Sequence, residues 1–244
     1  MHIDDFSIMF FVKFIKPEHQ EQFLDGELVI RDLNYYIGSE EDQEKGMADK
    51  NEGSFILNRA VLQIGEEIIP EEDHGQVKIS SHYINEMPVL CLFAIKRSMF
   101  KEKEVNEKEV KYQLQFENGV LEHMKEHFGE DVLLIGAAPF IERVKNVCTE
   151  RKVQVIDKFV KYFDFSIDEE ERIRLVKDIY NPEIAFVKDE FFESQNEYRF
   201  AFPSEKIDEN REPKSFLLEI GDIREITKCF KADDLLNLEL IFKI

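Results

Sequence analysis

The segment Phe191–Phe202, FFESQNEYRFAF, contains the residues of this chain best suited to chemistry. It contains an amide (Gln195), a carboxylate (Glu197) and a guanidinium (Arg199). These lie among aromatic and apolar residues at the start of a predicted buried strand. Burying a charged group without compensation is costly, so charged groups in such a setting are usually paired, poised for chemistry, or both. We therefore expect any functional site to lie where this strand begins.

The Gln195-x-Glu197 pair resembles the Gln/Glu-x-Glu pair that ADP-ribosyltransferases place just before a strand. In those enzymes the second Glu holds the nicotinamide ribose and stabilises an oxocarbenium-like state, and the first residue orients the acceptor. That chemistry needs a carboxylate fixed beside a developing positive charge. The alternative interpretation is a glutamate at the strand edge that is simply paired with Arg199 or Lys188. Both interpretations stay open at the level of sequence.

Two further patterns contain potential metal ligands. The helical run His123–His127 matches H-x-x-E-H, whose two histidines could share one metal ion. Its polar residues point away from the apolar stripe of the helix, which favours an exposed face instead. Asp49 and Glu52, three residues apart, could bind a cation or cap a helix, and a solvated loop is the simpler interpretation. The chain contains no G-x-G-x-x-G, phosphate-binding loop or G-x-S-x-G motif.

The composition limits the classes of partner. The chain has 244 residues, 43% of them hydrophobic, and a formal net charge of -20. The negative charge disfavours direct nucleic-acid binding through a broad basic face. The simpler interpretation is that the charge keeps the protein soluble. The alternative is mimicry of nucleic-acid charge by an inhibitor.

We expect a cytoplasmic protein without membrane association. The N-terminal sequence lacks the features of a signal peptide, and no apolar run is long enough to span a membrane. The three cysteines, Cys91, Cys148 and Cys229, lie far apart. Their spacing argues for a reducing compartment and against a disulfide framework.

The pattern of elements predicts an α+β fold in a single domain over residues 1–244, with mixed or antiparallel sheets and peripheral helices. Further expectations are a surface loop over Ser39–Ser54, pairing of Ala60–Ile69 with Gln76–Ile84, and a charged connector over Lys101–Lys111. We also expect a strand over Val153–Phe165, and a capping box at Ser166–Glu169 that opens a helix to Tyr180.

Taken together, the segments resemble a large family of bacterial and phage proteins whose function is mostly unassigned. Its members carry N-D-P-x-x-E, then W-x-H-Y, then K-x-x-x-F-x-x-E-x-E-[WY]-R. The corresponding blocks here are Ala48–Glu52, Lys125–Gly129 followed by DVLLIG, and Lys188-x-x-Phe191 with Gln195–Arg199; the segment Val160–Tyr162 resembles the family's V-x-Y strand. Here the family's Trp is missing, and Gln195 replaces the first Glu.

The resemblance implies an ADP-ribosyltransferase-like architecture, NAD as cofactor without a metal, and a role in antiviral defence or phage–host conflict. It implies that Glu197, Gln195 and His127 are catalytic and that Arg199, Lys188 and Tyr198 bind the cofactor. Carried over residue by residue, the site would also include Asp49 and Glu52.

Two other functions remain open. The acidic surface favours a non-enzymatic binding protein with a protein partner, either a defence-system component or a phage-encoded inhibitor of a host defence protein. The His123/His127 pair or the Asp49/Glu52 pair would instead serve a metal-dependent hydrolase.

Overall fold

The computed structural model describes residues 7–38, 49–69, 75–117, 119–211 and 214–244. Its strands are β1 (Ile8–Phe14), β2 (Glu27–Asp32), β3 (Ser54–Leu57), β4 (Leu62–Ile64), β5 (Glu67–Ile69), β6 (Val77–Ser80), β7 (Pro88–Lys96), β8 (Phe100–Val105), β9 (Glu109–Leu114), β10 (Asp131–Gly136), β11 (Ile156–Phe159), β12 (Lys161–Phe163), β13 (Val187–Asp189), β14 (Glu197–Ala201), β15 (Phe216–Glu219), β16 (Thr227–Lys231) and β17 (Glu239–Lys243). The α-helices are α1 (Pro17–Leu24), α2 (Leu33–Ile37), α3 (His82–Asn85), α4 (Val120–Phe128), α5 (Ala137–Arg151) and α6 (Glu170–Leu175). Short 3-10 helices lie at Arg97–Met99, Pro182–Phe186, Glu190–Gln195, Arg224–Ile226 and Ala232–Asn237.

An antiparallel sheet with the strand order β11-β14-β7-β1-β10-β16 lies at the centre of the fold. Strand β2 pairs with the end of β7 and also with β15. Strand β14, which carries Glu197 and Arg199, is paired on both edges, by β11 and β7. The combination of antiparallel sheets and peripheral helices confirms the predicted α+β class.

Both faces of the central sheet bury apolar residues, and one of them also buries Glu197 and Arg199. One face carries a continuous apolar core, which packs against helix α5 through residues such as Phe140 and Val144. Because side chains alternate along a strand, Tyr198 and Phe200 of β14 join this core. Glu197 and Arg199 then project from the opposite face, which is where the charged residues of the fold's centre are buried.

The prediction of a charged connector over Lys101–Lys111 is wrong. This stretch forms most of an antiparallel hairpin of β8 and β9, and β9 also pairs with β17. Beyond Phe100, the residues of β8 are exposed. A strand at the edge of a sheet needs no apolar alternation, so its charged sequence resembles a linker.

The predicted pairing of Ala60–Ile69 with Gln76–Ile84 is also wrong. Strands β4 and β5 form their own hairpin through Gly65, whose φ of 63° suits a tight turn. Strand β6 pairs with β3, and the chain then turns into helix α3 at His82.

The predicted strand over Val153–Phe165 divides into β11 and β12 at Val160, whose N–H donates to the Glu197 carbonyl at 3.0 Å. Strand β12 leaves the main sheet and pairs in parallel with β13. The predicted capping box and the predicted helix to Tyr180 are both wrong, because α6 runs only from Glu170 to Leu175 and Glu169, at its N-cap, makes no capping hydrogen bond. Instead, Asp168 accepts hydrogen bonds from the backbone N–H of Asn58 and of Arg59, at 2.9 and 2.8 Å.

Among the described residues, no helix is long and apolar enough to cross a membrane. Cys148 is buried, Cys91 is half-buried and Cys229 is exposed, and all three are free thiols.

Gly26 lies in the short turn between α1 and β2. Its φ is 80°, and a Cβ at this position would lie 1.9 Å from the Gly221 carbonyl oxygen. We expect Gly26→Ala to lower the free energy of unfolding by about 3 kcal/mol or more, because it adds overpacking to left-handed strain. Gly65→Ala is the matched control, since Gly65 has a φ of 63° with nothing within 4 Å of its added Cβ. Urea unfolding measures both, and an equal loss in the two variants would contradict the steric part of this prediction.

Candidate functional site

Two carboxylates and two cations form a buried network on the polar face of strand β14. Arg199 donates from Nε to Glu197 Oε1 at 2.6 Å and from Nη1 to Glu52 Oε1 at 2.8 Å. Lys188 Nζ donates to Glu197 Oε2 at 3.2 Å and lies 3.5 Å from Glu52 Oε2. None of the four residues is more than 6% exposed. The formal charges of the network therefore balance inside the protein, which burial requires.

Three separate parts of the chain supply these side chains. Glu197 and Arg199 lie two residues apart on β14 and therefore share one face of the sheet. Lys188 is the middle residue of β13, which β12 holds in place. Glu52 lies in the turn before β3, where the Asp49 side chain accepts from Asn51 N at 2.8 Å and the Asp49 carbonyl accepts from Glu52 N at 2.9 Å.

Lys188 also fixes the Gln195-x-Glu197 pair. Its Nζ donates to Gln195 Oε1 at 2.8 Å in addition to its bond with Glu197. Between the paired residues, Asn196 adopts a left-handed conformation with a φ of 41°, which turns the chain from a 3-10 helix into β14. The hydroxyl of Tyr162 accepts a hydrogen bond from the backbone N–H of Glu197 at 2.9 Å. The pair is thus held at both its side chains and its backbone.

The network sets the protonation states of its members. Burial alone would raise the pKa of Glu197, but Arg199 and Lys188 together hold that pKa well below its usual range. Burial would lower the pKa of Lys188, but Glu197 and Glu52 raise it above its ordinary value. Glu197 is therefore a permanent carboxylate at neutral pH, unable to donate a proton but suited to stabilise a neighbouring positive charge.

Asp49 is the least compensated acid of the site. Burial, together with the nearby charge of Glu52, raises its pKa to about 6. Asp49 Oδ2 and Glu52 Oε2 have no hydrogen-bond partner among the described residues. The expectation of a solvated loop is wrong for these two residues, which are 3% and 0% exposed, while 39–48 of the same predicted loop lie outside the described residues. A buried carboxylate with a raised pKa beside ion pairs is typical of functional sites.

A cleft of about 720 Å³ adjoins the network. Tyr162 and Asn196 line it. The hydroxyl of Tyr162 contacts the Glu197 backbone, and Asn196 directly precedes Glu197 in the chain. Its apolar walls include Phe93, Phe116, Phe159 and Phe163, and its charged lining residues are Lys96, Lys161, Glu117, Glu169, Glu171 and Glu193. Aromatic walls of this kind are common in small-molecule sites, while the six charged residues make the lining of this cleft unusually polar.

Two of the predicted site residues do not join the network. Tyr198 projects into the apolar core, where its ring lies 5.2 Å from that of Phe11 and its hydroxyl donates to Asp157 at 2.6 Å. His127 lies in the last turn of α4, whose first residue, Val120, lines the cleft. The seven intervening steps put His127 about 10 Å farther along the helix axis. Its ring packs edge-on against that of His123, with centroids 4.4 Å apart.

The remaining predicted residues do come together: Gln195, Glu197, Lys188 and Arg199, with Glu52 and Asp49 beside them. Among the described residues, no group of three or more His, Cys, Asp or Glu side chains could hold a metal ion.

Sequence reasoning missed Cys91 and Tyr36. Burial, and next the charge of Glu197, raises the pKa of the Cys91 thiol to about 12, and burial raises the pKa of Tyr36. Cys91 lies opposite Arg199 on β7. Only the sheet register could have indicated that Cys91 lies beside the charged network, because its own segment is an uninterrupted apolar run.

Comparisons with protein-family models, with curated proteins and with solved structures gave no match for this chain.

The raised pKa of Asp49 predicts a specific pH dependence of stability. The group titrates near 3.8 when unfolded and at about 6 when folded, so the folded state binds the proton more tightly. The stability gained from this tighter proton binding is fully present below the unfolded pKa of 3.8. It is lost as the pH rises through the folded pKa of about 6, with a magnitude on the order of 3 kcal/mol. Asp49→Asn, which cannot ionise, should unfold at higher urea concentration than the wild type at about pH 8, with a smaller difference at about pH 4.

The exposed position Asp178 offers a matched control, Asp178→Asn, for the loss of one carboxylate. Urea titrations across the window measure all three proteins. A wild-type advantage over Asp49→Asn that grows toward alkaline pH would show that the Asp49 carboxylate is stabilising, contrary to this prediction.

Proposed function

We propose that the protein is an ADP-ribosyltransferase-like enzyme that takes NAD as its cofactor. The observation that carries this proposal is the double contact of Lys188, which binds both Gln195 and Glu197 beside the cleft. One lysine thereby fixes the two residues of the Gln-x-Glu pair relative to each other. Pre-organised charge of this kind is the largest single contribution in many enzymes.

In the proposed reaction the bond between ribose and nicotinamide breaks, and its electron pair leaves with the nicotinamide. The positive charge that develops on the ribose is stabilised by the ionised Glu197. A nucleophilic atom of the acceptor then forms a bond to the same ribose carbon and loses its proton. Gln195, whose amide oxygen is held by Lys188, positions that acceptor.

The aromatic cleft is the proposed NAD site. Its volume of about 720 Å³ falls in the range of small-molecule sites, and its phenylalanines offer surfaces on which the nicotinamide and adenine rings can stack. The lining cations are Lys161, which pairs with Glu171, and Lys96, which lies over the Phe159 ring, and both would have to turn toward the pyrophosphate. In this arrangement Lys188 and Arg199 act by positioning Glu197, and they do not contact the dinucleotide.

Access to Glu197 passes Tyr162. Glu197 is only 5% exposed, while Tyr162 lines the cleft and contacts the Glu197 backbone. We therefore assign to Tyr162 the role of a side chain that turns aside when NAD enters.

A second candidate function has its own support. Both carboxylate oxygens of Glu197 already contact cations, an arrangement equally suited to a purely structural network. In that case the protein is a non-enzymatic cytoplasmic binding protein that recognises a protein partner through its acidic surface. Phage–host conflict is the proposed setting for either function, following the family resemblance.

The test is a titration with NAD, following melting temperature and nicotinamide release together. Wild-type protein should melt at a higher temperature with NAD, as any native-state binder does, and should release nicotinamide. Glu197→Asp keeps the charge of the network but withdraws the carboxylate, and we expect it to reduce release about 100-fold while NAD still raises the melting temperature. Glu190→Gln, an exposed residue of the adjoining 3-10 helix, is the control and should resemble the wild type.

Unchanged release by Glu197→Asp would remove the transferase proposal. Absence of both binding and release in the wild type would leave the binding-protein function, for which reversal of surface charges, and not change at Glu197, should abolish partner capture.

A further inference from the structure

Strand β17 is an unprotected edge of the small sheet β17-β9-β8. The opposite edge strand, β8, exposes the charged run Lys101–Glu104, a common defence against pairing with another chain. Strand β17 instead exposes Ile241 and Phe242, at 51% and 45%, and the adjoining Ile244 is 80% exposed. An apolar, exposed edge of this kind is a template for strand addition.

The backbone of β17 has free groups on its outer side. The Leu238 carbonyl accepts from Leu114 N at 3.0 Å, and Ile244 N donates to the Lys108 carbonyl at 2.9 Å. Because the direction of backbone groups alternates in an antiparallel ladder, even-numbered residues of β17 point toward β9. Glu239, Ile241 and Lys243 therefore point their N–H and C=O groups outward. Within the described part of the chain, β17 pairs with no strand other than β9.

We propose that a second copy of this chain adds to β17 as an antiparallel strand, around a two-fold axis at Ile241. The sequence Glu-Leu-Ile-Phe-Lys is self-complementary in this register. Glu239 faces the partner's Lys243, Leu240 faces the partner's Phe242, and Ile241 meets its own copy. Glu239, Ile241 and Lys243, whose backbone groups point outward, form the hydrogen-bonded pairs across the axis, and Leu240 with Phe242 forms the non-hydrogen-bonded pair.

Other arrangements lose this complementarity. A register shifted by two residues in either direction no longer sets Glu239 opposite Lys243, so both charged residues lose their counter-charge. A parallel arrangement in register would set Glu239 beside Glu239 and Lys243 beside Lys243, which is destabilising. Charge complementarity therefore selects both the direction and the register.

The resulting dimer joins two three-stranded sheets into one of six strands. It covers the exposed part of Phe242, whose ring already packs edge-on against Tyr112 at 5.8 Å. Glu239, which also pairs with Lys103 of its own chain, would then lie between two lysines. This interface is independent of the proposed NAD chemistry, because neither β17 nor its neighbours line the cleft.

The first test is the mass of the full chain in solution, by size-exclusion chromatography with light scattering over a series of concentrations. We expect a dimer of twice the 28.9 kDa chain mass, which dissociates on dilution. Ile241→Lys sets two like charges against each other at the axis, and it should give a monomer with an unchanged circular dichroism spectrum. Ile64→Lys is the matched control, at a 70% exposed isoleucine on a different hairpin, and should remain dimeric.

A charge swap tests the register. Lys243→Glu should give a monomer, because it sets Glu239 against a glutamate of the partner. The further changes Glu239→Lys and Lys103→Glu restore opposite charges both across the axis and within the chain, and should restore the dimer. A wild-type monomer at every concentration would overturn the proposal and leave the edge to a segment of another protein. A dimer that survives Ile241→Lys, or one that is indifferent to Lys243→Glu, would overturn it as well.

Discussion

The charge of Glu197 on a fully paired strand is the constraint on which the site depends. A carboxylate that is only 5% exposed is largely stripped of water, so it requires cations supplied by the protein itself. Arg199 comes from the same strand, but Lys188 must be brought by β13 and balanced in turn by Glu52. The parallel β12–β13 pair and the turn before β3 therefore supply the charges that compensate the buried Glu197. The four residues form one charge-balanced unit. Neutralising any one of them leaves a net charge in the protein interior without a partner.

The same alternation that buries the network separates two functions of one strand. Tyr198 and Phe200 contribute to the apolar core, while Glu197 and Arg199 build the polar side. The cleft then opens beside the polar side, at Tyr162 and not through the core. Asp49 is the exception to the charge balance, because its buried Oδ2 lacks a partner among the described residues. A fold that tolerates such a group gives up stability at neutral pH, which is common where a site is kept ready for chemistry.

The sequence predicted the apolar strands and the charged pair of β14 because both are local patterns. A guanidinium and a carboxylate two residues apart in an aromatic strand indicate a buried pair, and the structure confirms the pairing of Glu197 with Arg199. Strand alternation could also have shown that Tyr198 faces away from them, a signal that the motif obscured. The burial of Asp49 and Glu52 could not be foreseen, because the polar composition of their segment indicates solvent and their partners lie far along the chain. Edge strand β8 was missed for a related reason, since pairing and not composition makes it a strand.

A double-mutant cycle on Lys188 and Glu197 tests the buried network most directly. Urea unfolding would be compared for the wild type, Lys188→Met, Glu197→Gln and the double variant. Each single change leaves a buried charge unpaired and should cost about 3 kcal/mol or more. The double variant retains the neutral Arg199–Glu52 pair, so its loss should be clearly smaller than the sum of the two single losses. Losses that simply add would show that Lys188 and Glu197 do not depend on each other, and would contradict the account.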